Sequence, residues 1–198
     1  MAQFRTREQA SLFPDNDRVL FDGPKGLVTY TPDFIDASGA DALFAQLLEQ
    51  VKWRADRRVM YDRELDVPRL HASCAIAEPR LPAQLRALAA RLVATTGTPF
   101  THIGFNHYRD ENDSVAPHND RLGDLVEGHP IVLLSLGATR RMTIRAKLPP
   151  RNVVHVDLVA GSLLSMDYAT QLHYDHGIPK LATPCGPRIS LAFRVRAP

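Results

Sequence analysis

After residue 100 the sequence breaks into short runs in which apolar residues alternate with smaller or polar ones: Thr101–Arg109, Ile131–Gly137, Arg141–Ala146, Val153–Val159, Ser162–Met166 and Arg188–Val195. Successive side chains on a strand point to opposite faces, so each run reads as a strand with two distinct sides. Pro149-Pro150-Arg151-Asn152 and Ala160-Gly161 supply turns between them. Many short strands following two helices imply an α+β, mainly β protein: a double-stranded β-helix core, jelly-roll or cupin-like, braced by the helices.

The helices lie in the first half. Ala40, Leu43, Phe44, Leu47, Leu48 and Val51 recur at helical spacing and predict a helix over about 38–51, with Ser38 as N-cap. Leu85, Leu88, Ala89, Leu92 and Val93 predict another over about 82–95, with Pro82 in its first turn and Gly97 ending it. Before them, residues 1–25 read as an extended lead-in, and Gly26–Thr31 as a strand. Between them, Trp53–Tyr61 and Asp66–Cys74 predict an arginine-rich hairpin over about 52–75. A length of 198 residues, with no internal repeat or composition shift, fits one domain over 26–198.

With 44% hydrophobic and 23% charged residues, the chain belongs among ordinary globular proteins rather than disordered or fibrous ones. No apolar run approaches the ~20 residues that span a bilayer. The start MAQFRTREQASLF lacks the apolar stretch of a secretory signal, so a cytoplasmic protein without membrane attachment, acting as a monomer, is expected. Cys74 and Cys185 share no motif spacing and read as packing residues. The net charge of +2 is too small to indicate nucleic-acid binding alone, but Arg54, Arg57, Arg58, Arg63 and Arg69 crowd one segment, where an anionic partner could be met.

His118-Asn119-Asp120 carries the chemistry. On a strand, His118 and Asp120 project from one face and can reach one ion, while Asn119 points away. Two imidazoles and one carboxylate form the facial triad that holds Fe(II) and leaves positions open. The third ligand comes from His71, His102, His107, His129, His155, His173 or His176. The last strand puts Arg188, Ser190, Ala192 and Arg194 on one face and Ile189, Leu191, Phe193 and Val195 on the other. Such a strand is either an edge with a solvated side, or lines a barrel where a bound carboxylate satisfies the guanidinium groups. Asn106 and Tyr108 share a face of the strand before the metal pair, so with the two arginines they could converge on one small anion.

The segment Asn106-His-Tyr108 through His118-Asn-Asp120 resembles the N-x-Y-x(9)-H-x-D element of the AlkB family of Fe(II)/2-oxoglutarate dioxygenases. Gly161–Tyr168 with Tyr174-Asp-His176-Gly-Ile-Pro resembles its distal-histidine region, and Pro187–Arg194 its closing arginine strand. With Val67-Pro68-Arg69, the resemblance runs over about 25–196 in order. It implies His118, Asp120 and His176 as iron ligands, with His173 outside the triad. Asn106, Tyr108, Arg188, Ser190 and Arg194 become 2-oxoglutarate contacts. The implied reaction uses O2 to dealkylate N-alkylated bases of DNA or RNA, releasing aldehyde, succinate and CO2.

Three departures from the family pattern are visible. Ser190 stands where repair members usually have asparagine. Arg121-Leu122 follow the metal pair in place of acidic residues that help read the base. Pro68-Arg69 is not followed by an aromatic residue, so Met60, Tyr61 and Arg69, with Trp53 or His71, become candidates for substrate contact beside Arg121 and Leu122. Two other functions stand beside repair: the same oxidation of a protein or small molecule, and a non-catalytic cupin-like metal-binding module.

Overall fold

The computed structural model describes residues 18–60 and 63–197, the side chains of 56–60 and 63–66 excepted. In chain order the elements are β1 (Arg18–Gly23), β2 (Gly26–Thr31), α1 (Ala37–Gln50), β3 (Arg54–Met60), β4 (Arg63–Ala75) and α2 (Ala83–Thr96). There follow β5 (His102–Tyr108), β6 (Val115–His118), β7 (Ile131–Gly137), β8 (Arg140–Ala146), β9 (Val153–Leu158), β10 (Leu163–Met166), α3 (Tyr168–His173), β11 (Tyr174–Ile178) and β12 (Arg188–Arg194). An eight-stranded sheet, ordered β1-β2-β10-β7-β12-β5-β4-β3, faces a four-stranded sheet, β6-β11-β8-β9. All pairings among these strands are antiparallel.

Alternation along the central strands builds two apolar layers. Val132, Leu134 and Leu136 of β7, with Ile189, Leu191 and Phe193 of β12, pack against Leu43 and Leu47 of α1 and Leu85, Leu88 and Leu92 of α2. From the other face, Ile131 and Leu133 meet Met142 and Ile144 of β8, Val156 and Leu158 of β9 and Ile178 of β11 between the sheets. The double-stranded β-helix braced by two helices is the expected architecture. At ~1.5–3 kcal/mol per buried large apolar side chain, these layers dominate the folding energy.

Several boundaries differ from expectation. Asp36, rather than Ser38, caps α1: its carboxylate accepts the Gly39 N–H at 2.7 Å, and the Ser38 hydroxyl donates to the same oxygen. Pro82 stands just outside α2 as its N-cap, and Gly97, at φ 68°, closes the helix in the left-handed conformation that its missing Cβ permits. Residues 18–23 of the supposed lead-in form β1, hairpin partner of β2, with Phe21 stacked on Tyr174 at 4.7 Å. A register shift between Val19 and Phe21 interrupts the period-two pattern and hides this strand. The rest of the lead-in, residues 1–17, lies outside the described residues.

α3 and β11 were not anticipated from sequence, and the strand expected to carry His118 and Asp120 is present as β6 but ends at His118. The hairpin expected at 52–75 is present as β3 and β4, and β4 pairs with β5, so the hairpin prolongs the large sheet beside the site. None of the described helices is long and apolar enough to cross a membrane.

Candidate active site

β12 is an interior strand between β7 and β5, which excludes the solvated-edge reading. Its arginine-bearing face looks between the two sheets: Arg188 is 1% exposed and Ser190 and Ala192 are buried. Register then places the other candidates. Arg188 stands opposite Tyr108, Ser190 opposite Asn106, and Asn106 opposite His71 on β4. Arg188, Tyr108, Ser190 and Asn106 line one pocket with His118, His176, Arg69 and Arg194, and Leu133, Met142 and Ile178 give it apolar walls.

The metal-ligating atoms of His118, Asp120 and His176 lie within 4.8 Å of one another. Cross-strand pairing brings the histidines together: His118 closes β6 and faces His176 of β11, with ring centroids 4.6 Å apart. Asp120, however, lies beyond the end of β6, so strand alternation does not aim it. It is held by its N–H donating to Gln171 Oε1 at 3.1 Å and by an ion pair between its carboxylate and Arg194 Nε. Of the other candidates for the third ligand, His107 packs on Trp53 at 5.0 Å on the helix-facing side, His155 meets Thr143 on the small sheet, and His173 ends α3.

The protonation states suit a metal. Burial, reinforced by the neighbouring His118, pushes His176 down to about 4, so its imidazole is neutral and can ligate. The carboxyl of Asp120 is opposed by burial, yet the Arg194 guanidinium holds it below the usual carboxylate range and therefore ionised. His118 Nδ1 lies 2.9 Å from the Ala116 carbonyl, to which a ring N–H there donates, orienting the imidazole. Two imidazole nitrogens and one anionic oxygen fit a divalent metal with open positions.

The two arginines line the same pocket from well-separated positions on β12. Arg188 and Arg194 lie six residues apart on β12, about 20 Å along the strand at ~3.3 Å per residue. Arg194 serves the metal end through Asp120. Arg188 serves the other end: Nη2 donates to Ser135 Oγ at 2.8 Å, while Nε and Nη1 are buried without a partner. Burial drives its pKa down, an effect Tyr108 opposes. Two orphaned donors on one buried guanidinium are costly unless an acceptor arrives, and their geometry fits a carboxylate. An elongated dicarboxylate suits a pocket with a metal cluster toward one end and a guanidinium toward the other.

Arg69 lines this pocket and donates from Nε to Asn106 Oδ1 at 2.9 Å, so that nitrogen supports the anion pocket instead of reaching outward to phosphate. Leu122 lies in a short 3-10 turn after the metal pair and is half-buried, while Arg121 is exposed. Tyr61 and the side chains of Met60, Arg57, Arg58 and Arg63 lie outside the described residues. Trp53 packs edge-on against Phe105 at 6.5 Å and belongs to the helix-side core.

Sequence reading missed Gln171 and Arg140. Gln171 is in the unanticipated α3, whose only local signal is Asp167 capping the Thr170 N–H. Arg140 was within reach: starting β8 one residue earlier puts it on the buried face with Met142, Ile144 and Ala146.

A double-stranded β-helix carrying this donor set defines the 2-oxoglutarate/Fe(II) oxygenase class, and residues 71–194 match the model of the 2OG-Fe(II) oxygenase superfamily. The chain is 34% identical over 186 residues to human alpha-ketoglutarate-dependent dioxygenase alkB homolog 3, covering 84% of this chain and 65% of that protein. For the Bos taurus homolog 3 the identity is again 34%, covering 88% and 68%. Human DNA oxidative demethylase ALKBH2 is 29% identical, covering 78% and 68%. Among solved structures, OsALKBH1 superposes with a TM-score of 0.62 at 14% identity, over 90% of this chain and 100% of that one. A Pseudomonas putida prolyl-4-hydroxylase superposes at 0.60 and 16% identity, over 86% and 93%. The chain belongs to the AlkB family. It spans slightly less than two thirds of the human homolog 3.

Proposed function

We propose that this protein is an Fe(II)- and 2-oxoglutarate-dependent dioxygenase that removes alkyl groups from nitrogen atoms of bases in DNA or RNA. The observation that carries the reading is one pocket joining a two-histidine, one-carboxylate cluster to a buried arginine with two unpartnered donors. Bound Fe(II), with 2-oxoglutarate and O2, supplies the oxidation: one oxygen atom enters an N-alkyl C–H bond, the other enters succinate as CO2 leaves, and the hydroxylated carbon departs as aldehyde.

The chain's own residues supply position and charge. His118, the neutral imidazole of His176 and the ionised Asp120 would hold the metal. Arg188, with Tyr108, Ser190 and Asn106, receives the distal carboxylate of the keto acid. Leu133, Met142 and Ile178 keep that interval dry, which strengthens the ionic contacts at either end. Arg194 holds Asp120 in place. The nucleic-acid reading is supported by the similarity to human DNA oxidative demethylase ALKBH2 and by the arginine-rich β3–β4 hairpin beside the site.

The half-buried Leu122 and the absence of an aromatic residue after Pro68-Arg69 favour a second reading, the same oxidation of a protein or small-molecule substrate. Anaerobic loading with Fe(II) and 2-oxoglutarate, then O2 and N-methylated single- and double-stranded oligonucleotides, separates the two. Oligonucleotide mass loss coupled to succinate, both abolished by His118→Ala, is the expected result. Unchanged oligonucleotides, with succinate formed in the presence of another substrate, would overturn repair and leave the dioxygenase.

A further inference from the structure

Two buried guanidinium groups lie over the Tyr108 ring. The Arg188 guanidinium carbon is 5.1 Å from the ring centroid, and that of Arg140, at the start of β8, is 5.6 Å away. Arg140 is 1% exposed. Its Nη1 donates to the Asp110 carbonyl at 3.0 Å, and its Nη2 donates to the carbonyls of Asp113 at 2.8 Å and Pro179 at 2.6 Å, while Nε has no partner. One fork therefore ties together the loop leading into β6, which carries His118, and the segment following β11, which carries His176.

The charge is as informative as the bonds. The nearby Asp113 carboxylate is taken by the backbone N–H and guanidinium of Arg109. Among the described residues, no carboxylate forms an ion pair with Arg140 or Arg188. Carbonyl dipoles solvate Arg140 without cancelling its charge, so two cations face one aromatic ring in a water-poor interior and await an anion.

We propose that Arg140 is a positioning residue for the cosubstrate: it fixes Tyr108 against Arg188 and adds a second positive charge that makes the pocket select a dicarboxylate over a monocarboxylate keto acid. This rests on the reading that Arg188 receives the distal carboxylate of 2-oxoglutarate. Arg140 itself touches protein only.

The test is calorimetric titration of the anaerobic, Co(II)-loaded protein with 2-oxoglutarate and with 2-oxobutyrate, which keeps the chelating head and lacks the distal carboxylate. Arg140→Met is expected to weaken 2-oxoglutarate about tenfold or more and 2-oxobutyrate no more than about threefold, because only the dicarboxylate meets the lost charge. Arg140→Lys keeps the charge without the three-carbonyl fork; it should retain most of the dicarboxylate preference while raising KM for 2-oxoglutarate more than it lowers kcat. Equal weakening of both acids by a folded Arg140→Met protein, or none, overturns the proposal. If Arg140→Met does not fold, Arg140→Lys decides: a preference reduced to that of Arg188→Met also overturns it. Arg188→Met, run in parallel, separates the two ideas. Undiminished 2-oxoglutarate affinity in that variant sinks the Arg188 reading, whereas lost affinity there with no change at Arg140 sinks only the role of Arg140.

Discussion

His118 and His176 are direct partners across β6 and β11, and the strands can close on each other because Gly177 follows His176. A Cβ at position 177 would lie 2.9 Å from the Val115 carbonyl oxygen and 3.0 Å from the Pro117 nitrogen, both backbone atoms that cannot swing aside. The register shifts between His176 and Ile178, so this glycine sits where the pairing is irregular and its neighbour enters the cluster.

Gly177→Ala should therefore push β6 away from β11 and separate the two imidazoles. Stability is expected to fall by about 1–3 kcal/mol through overpacking. Co(II) affinity, followed by its visible absorption, should fall roughly tenfold or more as the ligands lose their geometry. A folded variant that binds Co(II) as tightly as the parent would show that close strand approach does not set the site.

Arg194 reaches Asp120 past Gly104, where a Cβ would come within 2.8 Å of the guanidinium Nη1. Removing Arg194 leaves the mostly buried Asp120 carboxylate without its cation in the metal-free protein. Arg194→Met should thus cost about 1–3 kcal/mol without metal, less than a fully buried pair because both side chains keep some solvent. A divalent ion would restore the missing positive charge. Urea unfolding with and without Ni(II) should therefore show a smaller deficit in the loaded protein; an equal deficit in both states would refute this account of Asp120.

The sequence was most legible where period-two alternation is regular. β2 and β7 fall where expected, and the two faces of β12 separate the anion pocket from the helix-side core. Legibility failed where a few residues make structure through distant partners. β6 is four residues long and contains Pro117, tolerable because β6 edges its sheet. Asp120 lies past its end, so the inference that His118 and Asp120 share a strand face reached the right pair through the wrong geometry. Likewise, alternation put Arg188 and Arg194 on one face but could not show that distance assigns them to different ends of the pocket. The choice of His176 over His173 needed either the family pattern or the β6–β11 pairing, since neither spacing nor composition distinguishes them.

Gln171 is 0% exposed, and its side-chain oxygen accepts the Asp120 N–H, while its Nε2 is buried without a partner. Gln171→Leu removes that acceptor and also the orphaned donor, so the two effects on folding partly cancel and the net loss should be about 1 kcal/mol or less. Metal binding should suffer more, by about tenfold to a hundredfold, because the backbone that aims Asp120 is released. Thermal unfolding beside Co(II) titration checks the contrast. Large destabilisation with unchanged Co(II) affinity would make Gln171 a packing residue alone.

Asp113 anchors the loop between Tyr108 and β6. Burial opposes its charge, but the Arg109 guanidinium and backbone N–H, both at 2.8 Å, hold its pKa below the usual carboxylate range. Because the folded value is depressed, the stabilisation is fully present above the unfolded carboxylate pKa of ~3.9 and is lost as pH falls through the folded value. Arg109 is half exposed, so solvent screens part of the pair, and Asp113→Asn should cost about 1–2 kcal/mol at pH 7. The gap between parent and variant in urea-unfolding free energy should stay constant down to about pH 5 and narrow below it. A gap that widens on acidification would mean that Asp113 is stabilised in its protonated form and that the Arg109 contacts do not govern its charge.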